Sequence, residues 1–124
     1  MSRSDEDVLR FVAASFPSVW ALELTLVIKQ ERRPWTRADL NRALRASDIV
    51  VSKAIDALVA AGIASIDEDA VSYLPVNADV GDCLDRVEQL YRTRPNQVRR
   101  VIIAATQSGA AAFAAAFKLR GEGQ

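Results

Sequence analysis

The segment from residue 36 to residue 63, TRADLNRALRASDIVVSKAIDALVAAGI, most constrains what this chain can fold into. Thr36 and Ser47 are hydroxyl residues of the kind that cap helix N-termini, and Asp39 stands where a short capping-box partner is placed. Apolar residues recur at helical spacing in two stripes: Leu40, Ala43 and Leu44, then Val51, Ile55, Leu58 and Val59. Gly62 can end the second helix, because glycine enters the left-handed conformation without steric cost. The segment is therefore predicted to form two short amphipathic helices joined by a tight turn.

A candidate β-hairpin follows the second helix at once. Residues 63–66 and 71–74 alternate apolar with small or polar side chains, and residues 67–70 connect them. The predicted hairpin, which we call the wing, therefore has a tip of about four residues. Two helices, a tight turn and a wing have the layout of a winged helix-turn-helix. The expected fold is mainly α with a small β-hairpin, flanked by N- and C-terminal helices.

The N-terminal part predicts two helices. Ser4 precedes three acidic residues, which favour the positive end of a helix, and this first helix is expected to end near Ser15. Pro17 and Ser18 open a second helix, whose residues 19–28 are apolar over nearly the whole circumference. Such a helix must be buried on all sides, at the centre of the domain or against a second copy. Residues 31–34 then break the helical pattern.

The C-terminal third is also predicted to be helical. An amphipathic helix is indicated by apolar residues that recur at three and four: Val80, Cys83, Leu84, Val87 and Leu90. A further helix covers residues 96–107, and Phe113 and Phe117 lie one turn apart beyond it. Cys83 is expected to be a small buried hydrophobe. We expect a single winged-helix domain over residues 1–124, with N-terminal helices in 1–31, the helix-turn-helix and wing in 36–75, and C-terminal helices in 79–120.

Charge is balanced over the chain but not along it. The 16 basic residues equal the 16 acidic ones, which removes the simple argument for nucleic-acid binding from a global positive field. Residues 29–45 nevertheless hold six bases against two acids, whereas residues 65–85 hold six acids and no base. No signal peptide is visible, and residues 19–28 are too short and too interrupted to span a bilayer. We expect a cytoplasmic protein that does not contact a membrane.

The residue types argue against catalysis. The chain has no histidine and one cysteine, which excludes the usual zinc sites and any mechanism that needs an imidazole. The acids of residues 67–69 lack the spacing of a calcium loop, and no glycine-rich phosphate loop occurs. The serines have no base of the usual kind to activate them. We therefore expect a non-enzymatic protein with no cofactor and no metal.

Residues 36–75 resemble the core of MarR-type winged-helix regulators, a bacterial family of dimeric DNA-binding proteins. The matching positions are Leu40, Leu44, Ser47, Val51, Ser52, Ile55, Leu58, Gly62 and Ile63. The resemblance implies that the second helix is a recognition helix and that the flanking helices build a dimer interface. It implies a transcription regulator, although one fold hosts many functions.

The reading surface departs from the family's pattern. Helical phase turns six residues outward: Asp48, Ile49, Val50, Ser52, Lys53 and Asp56. Two of these are acids, two are β-branched apolar residues and only Lys53 is a base, whereas DNA readers present small polar and basic side chains. The wing tip is also acidic, at Asp67, Glu68 and Asp69.

Two functions follow, and both stay open at this point. The first is a transcription regulator with weak or atypical DNA contact, for which the candidate residues are Arg32, Arg33, Arg37, Arg42, Arg45, Ser52 and Lys53. The second is a winged helix adapted to protein recognition that does not bind DNA, for which they are Asp48, Ile49, Val50, Lys53 and Asp56. A helical phase shifted by one residue would turn Ile49 inward and remove the second surface. The sequence identifies neither an operator nor a small-molecule effector.

Surplus apolar surface predicts a homodimer built by the N- and C-terminal helices, since residues 19–28 and the pair Phe113 and Phe117 all need cover. The predicted core lies on facing stripes of consecutive helices and comprises Trp20, Leu24, Leu40, Leu44, Ile55 and Leu58.

Overall fold

Side-chain caps set where the first four helices begin. The structure, a computed structural model, describes residues 4–106. Its helices are α1 (Asp5–Ser15), α2 (Val19–Gln30), α3 (Arg37–Leu44), α4 (Asp48–Ala60) and α5 (Ala78–Thr93), and residues 95–106 form α6. The hydroxyls of Ser4, Ser18, Thr36 and Ser47 each accept a hydrogen bond from a backbone amide three residues on. These caps satisfy amides that the helices leave free, as the sequence predicts.

Three short strands form one antiparallel sheet in the order β1-β3-β2. The strands are β1 (Trp35–Thr36), β2 (Ala64–Asp67) and β3 (Ala70–Tyr73). The hairpin is confirmed, but its predicted tip of residues 67–70 is wrong: Asp67 pairs with Ala70, so only Glu68 and Asp69 lie in the loop. Glu68 takes a left-handed φ of 58°, which a two-residue hairpin loop requires. The protein is thus mainly helical with a small three-stranded antiparallel sheet.

Gly62 makes the turn from α4 into β2. Its φ is +75°, and a Cβ placed on it would lie 3.0 Å from Cγ1 of Val76. The backbone on either side is held, because Val76 N donates to Gly62 O at 2.8 Å and Leu74 N donates to Ile63 O at 2.9 Å. The predicted role of Gly62 at the helix end is confirmed, and the close approach of Val76 is a second reason for glycine there.

Helix α2 lies at the centre of the core. It packs against α4, α3 and β3, while α1 packs against α5. Leu24, Leu40, Ile55 and Leu58 are buried as predicted, but Leu44 is only partly buried and Trp20 is 41% exposed. Trp20 belongs to a stripe along α2 that is exposed or half-buried, together with Glu23, Val27 and Gln30, whereas its neighbours Ala21 and Leu22 are fully buried. The expectation of burial on all sides therefore fails along this side of α2.

The C-terminal helices join this core through apolar faces. Cys83, Leu84, Val87 and Leu90 of α5 are buried, as are Val98 and Ile102 of α6. The Tyr91 hydroxyl donates to Glu23 of α2 at 2.6 Å and accepts from Arg99 of α6 at 3.1 Å, so it links three helices. The Thr106 hydroxyl donates to the carbonyl of Pro17 at 3.0 Å. The predicted pair Phe113 and Phe117 lies outside the described residues.

Within residues 4–106, no single helix is long and apolar enough to cross a bilayer. The pair α1 and α2 meets that criterion only when taken together, and it is bent by 107° at the break.

Candidate functional site

Helix α4 presents four exposed side chains and two half-buried ones at the positions that helical phase turns outward. Asp48, Ile49, Lys53 and Asp56 are exposed, and Ile49 is 69% exposed. Val50 and Ser52, which are also predicted to face outward, are half-buried. Both lie at the edges of the buried stripe formed by Val51, Ala54, Ile55 and Leu58. Val59, on the same side as Ser52, is 40% exposed although it was expected in that stripe.

The turn between α3 and α4 holds the two helices in a fixed relation. Arg45, the C-cap of α3, takes a left-handed conformation with φ 54°, and Ala46 N donates to Asn41 O at 3.2 Å. The Asn41 side chain then donates a hydrogen bond to the carboxylate of Asp48 in the first turn of α4. Asp48 is thus both an exposed acid of α4 and a link to α3. The Asn41 Oδ1 atom is buried without a hydrogen-bond partner among the described residues.

Asp39 neutralises two of the candidate DNA-binding arginines. Its carboxylate lies 2.5 Å from Arg42 and 3.4 Å from Arg33. Desolvation alone would raise the pKa of Asp39, but hydrogen bonds with Thr36 and Arg33 and the charges of Arg33 and Arg42 lower it overall. A phosphate that approached Arg33 or Arg42 would therefore compete with a carboxylate already in place.

Arg32 and Arg33 lie against aromatic rings of the sheet. The Arg33 guanidinium is 3.7 Å from the centre of the Trp35 ring, and that of Arg32 is 4.9 Å from the Tyr73 ring. Arg32 also donates through Nε to the carbonyl of Lys29 at 3.1 Å. Such stacking covers the sheet and stabilises the loop before β1. The two arginines thus have structural partners that the sequence did not indicate.

Three of the six candidate bases have no side-chain partner among the described residues. Arg37 in the first turn of α3, Arg45 at its C-cap and Lys53 on α4 are exposed, and none of their side chains has a hydrogen bond, ion pair or ring contact within residues 4–106. Lys29, which contributed to the basic block in the sequence, is instead buried against α5. The basic surface is therefore smaller than the sequence suggested.

We call the exposed residues of α3, of α4 and of the hairpin tip the α3–α4 surface. Among residues 37–69, four bases and five acids are exposed. Three of the acids, Asp67, Glu68 and Asp69, are exposed at the hairpin tip. Net negative charge at this tip repels phosphates. The most exposed large apolar side chain of the α3–α4 surface is Ile49, at 69%.

Within the described residues, no group of three or more His, Cys, Asp or Glu side chains is placed to hold a metal ion. Comparisons with protein-family models, with curated proteins and with solved structures found no match to this chain. The α3–α4 surface must accordingly be interpreted from its own chemistry.

Proposed function

We propose that this chain is a non-enzymatic regulatory protein built on a winged helix-turn-helix of the MarR type, with α4 as its recognition helix. The order of elements supports this proposal. A short strand β1 precedes α3, the tight turn at Arg45 and Ala46 joins α3 to α4, and the β2–β3 hairpin follows Gly62 and pairs back onto β1. This arrangement leaves one side of α4 free, as a helix that enters a groove requires.

Within this proposal, the protein contacts DNA weakly and mainly through phosphates. The observation that carries it is the set of three exposed cations whose side chains have no partner within residues 4–106, namely Arg37, Arg45 and Lys53. Phosphate contacts by arginine and lysine supply most non-specific affinity, whereas base contacts need donors at the outward positions of α4. There the side chains include Asp48, Ile49 and Asp56. We therefore expect little sequence specificity.

The experiment measures affinity for a generic duplex as a function of salt concentration, by fluorescence anisotropy. Neutralising both arginines in R37Q/R45Q removes two phosphate contacts, so the salt slope should fall by about two units. The matched control is R10Q/R86Q, which removes the same charge from surface arginines that form ion pairs on α1 and α5. An equal loss of salt slope in the control would show that only net charge matters and would contradict phosphate contact at the α3–α4 surface.

The exposure of Ile49 favours a second candidate function, recognition of a protein partner without DNA. An aliphatic side chain that is 69% exposed, with Asp48, Lys53 and Asp56 around it on the same helix, has the composition of an interface centre with a polar rim. Truncating an anchor of this kind costs about 2 kcal/mol or more, whereas rim charges mainly alter association rates.

The two candidates predict opposite responses. For protein recognition, Ile49→Ser should abolish retention of a partner in affinity capture and in titration with the purified partner, while R37Q/R45Q retains it. For DNA contact, Ile49→Ser should leave duplex affinity unchanged or slightly higher, because serine is small and polar. Loss of both activities in Ile49→Ser, with the fold intact by circular dichroism, would contradict this division.

A further inference from the structure

The corner between α5 and α6 concentrates arginines that the helix-turn-helix does not use. From residue 89 to residue 106 the chain has four arginines and no acid, and all four are exposed. An open groove of about 730 Å³ lies at this corner. Its polar lining comprises Thr93, Arg94, Asn96, Gln97 and Arg100, with Val101 on its apolar side.

Two of the four arginines already have partners and two do not. Arg92 pairs with Glu88 at 3.5 Å, and Arg99 lies 5.2 Å from the centre of the Tyr91 ring. Arg94 and Arg100, which line the groove, have no side-chain partner within residues 4–106. The two arginines without a partner are thus those that face the same open space.

Among the described residues, no carboxylate lines the groove. Asp5, which lines the adjoining cleft beside Arg94, pairs with Arg86 at 3.5 Å. Glu88 of α5 pairs with Lys29 at 2.7 Å and with Arg92. In the sequence outside residues 4–106, Glu122 is the sole acidic side chain. The described lining of the groove therefore carries two positive charges, those of Arg94 and Arg100, and no negative one.

We propose that this groove binds a phosphate group through Arg94 and Arg100. Each guanidinium presents a planar fork of donors that matches two oxygens of a phosphate. The two positive charges together balance the charge of a phosphate dianion, whereas a carboxylate ligand carries only one negative charge. The amides of Asn96 and Gln97 and the hydroxyl of Thr93 add neutral donors at the same lining. The Asn96 oxygen accepts from Arg99 at 3.4 Å, which leaves its amide nitrogen free to donate to a ligand.

The groove is separate from the α3–α4 surface. Helix α5 begins at Ala78, just after the hairpin, and ends at Thr93, so the 16 residues of the helix separate the groove from the hairpin. At 1.5 Å per residue this is about 24 Å. The phosphate has two chemical sources, a nucleic-acid backbone or a free phosphorylated small molecule, and they share the same recognition.

The test is a titration of the full ¹⁵N-labelled chain with inorganic phosphate at constant ionic strength, followed by amide chemical shifts. We expect saturable shifts at residues 93–97 and 100 in the millimolar range. Arg94→Gln and Arg100→Gln should each weaken phosphate affinity about tenfold or more, because each removes a charge-assisted hydrogen bond. The matched control is Arg10→Gln on α1, which carries the same change of charge and should leave phosphate affinity unchanged.

A parallel titration with a short DNA duplex identifies the source. If the duplex shifts the same amides and these shifts are lost in Arg100→Gln, the phosphate is that of a nucleic acid. If inorganic phosphate shifts these amides and the duplex does not, the phosphate is that of a small molecule. No shift at these amides with either probe, or equal weakening by Arg10→Gln, overturns the proposal. These readouts do not involve Arg37 or Arg45, so the groove and the α3–α4 surface can each fail without the other.

Discussion

Lys29 is the only charged residue that is buried within residues 4–106, at 8% exposure. Its ammonium lies 2.9 Å from Asp85 and 2.7 Å from Glu88, both on α5, so it joins the central helix to the C-terminal ones. Desolvation by itself would lower the pKa of Lys29, but hydrogen bonds to the two carboxylates and their charges raise it overall. The hydrogen bond from Lys29 in turn lowers the pKa of Glu88.

This pairing makes stability depend on pH at both ends of the scale. The folded pKa of Glu88 lies below its usual 4.5, so its contribution is present above that pH and is lost as pH falls through the folded value. The folded pKa of Lys29 lies above 10.5, so its contribution is present below that pH and is lost as pH rises through the folded value. We expect Glu88→Gln to flatten the acid-side loss of melting temperature. Asp69→Asn, at the exposed hairpin tip, is the control. An unchanged acid limb in Glu88→Gln would contradict the pairing.

Adjacent residues of α4 separate core packing from surface effects. Leu58 is fully buried, and emptying such a site costs roughly 2–5 kcal/mol, so we expect Leu58→Ala to lower the free energy of unfolding by that amount. Val59→Ala, at a position that is 40% exposed, should cost less than about 1 kcal/mol. Urea denaturation of both variants checks the assignment. A cost below about 1 kcal/mol at Leu58 would mean that α4 has been placed in the wrong register.

Gly62, which follows α4, and Gly81, in the first turn of α5, should respond to substitution by alanine in opposite ways. Gly62 has a φ of +75° and little room beside Val76, so Gly62→Ala should destabilise the protein by about 1–2 kcal/mol or more. Gly81 lies within α5, where the nearest atoms to a new Cβ are 3.8 Å away on Pro75. Gly81→Ala should therefore stabilise the protein by about 0.5–1 kcal/mol, since alanine is the better helix former. Thermal unfolding of the two variants measures the difference. A change of stability with the same sign in both would contradict the left-handed turn at Gly62.

The starts of α1 to α4 can be predicted from the sequence because a cap depends on residues within three positions of each other. Ser4, Ser18, Thr36 and Ser47 are examples. The two-residue strand β1 cannot be predicted in this way, because it is too short to show a period and forms only by pairing with β3. The hairpin register has the same origin: Asp67 in β2 and Glu68 and Asp69 in the loop are all acidic, so only the pairing with β3 shows where β2 ends.

Site chemistry is less predictable than the elements that carry it. Local spacing predicted that Ile49, Lys53 and Asp56 are exposed on α4, and the structure confirms this. It did not predict that Asp39 pairs with Arg33, because their approach depends on the turn through Pro34 and β1. The burial of Lys29 depends on residues more than fifty positions away. The free arginines of the α5–α6 corner could have been found from the absence of acids between Glu88 and Glu122.

At the scale of the whole molecule, exposed apolar side chains on the flanking helices predict self-association. Trp20 on α2 is 41% exposed and Ile103 on α6 is 50% exposed. We propose that the N- and C-terminal helices build a homodimer, and we expect sedimentation at micromolar concentration to give a dimer. Truncation after Thr106 should weaken it or destabilise the fold. A monomer in the full chain under these conditions would exclude the dimer.

Charge is also distributed unevenly over the whole molecule. The hairpin tip carries three acids, whereas residues 89–106 at the far end of α5 carry four arginines and no acid. A duplex brought to α4 meets Arg37, Arg45 and Lys53 but also the acidic tip. Attraction and repulsion thus act on the same ligand, so affinity should be low and strongly salt-dependent.

The most direct test of the α3–α4 surface as a DNA-contacting surface is the affinity for a generic duplex at physiological salt, measured by fluorescence anisotropy on the full chain. We expect weak binding in the ordinary non-specific range, with Kd between about 10⁻⁴ and 10⁻⁶ M, that weakens as salt rises and weakens further in R37Q/R45Q. A Kd weaker than about 10⁻⁴ M falls below ordinary non-specific binding and would contradict DNA contact.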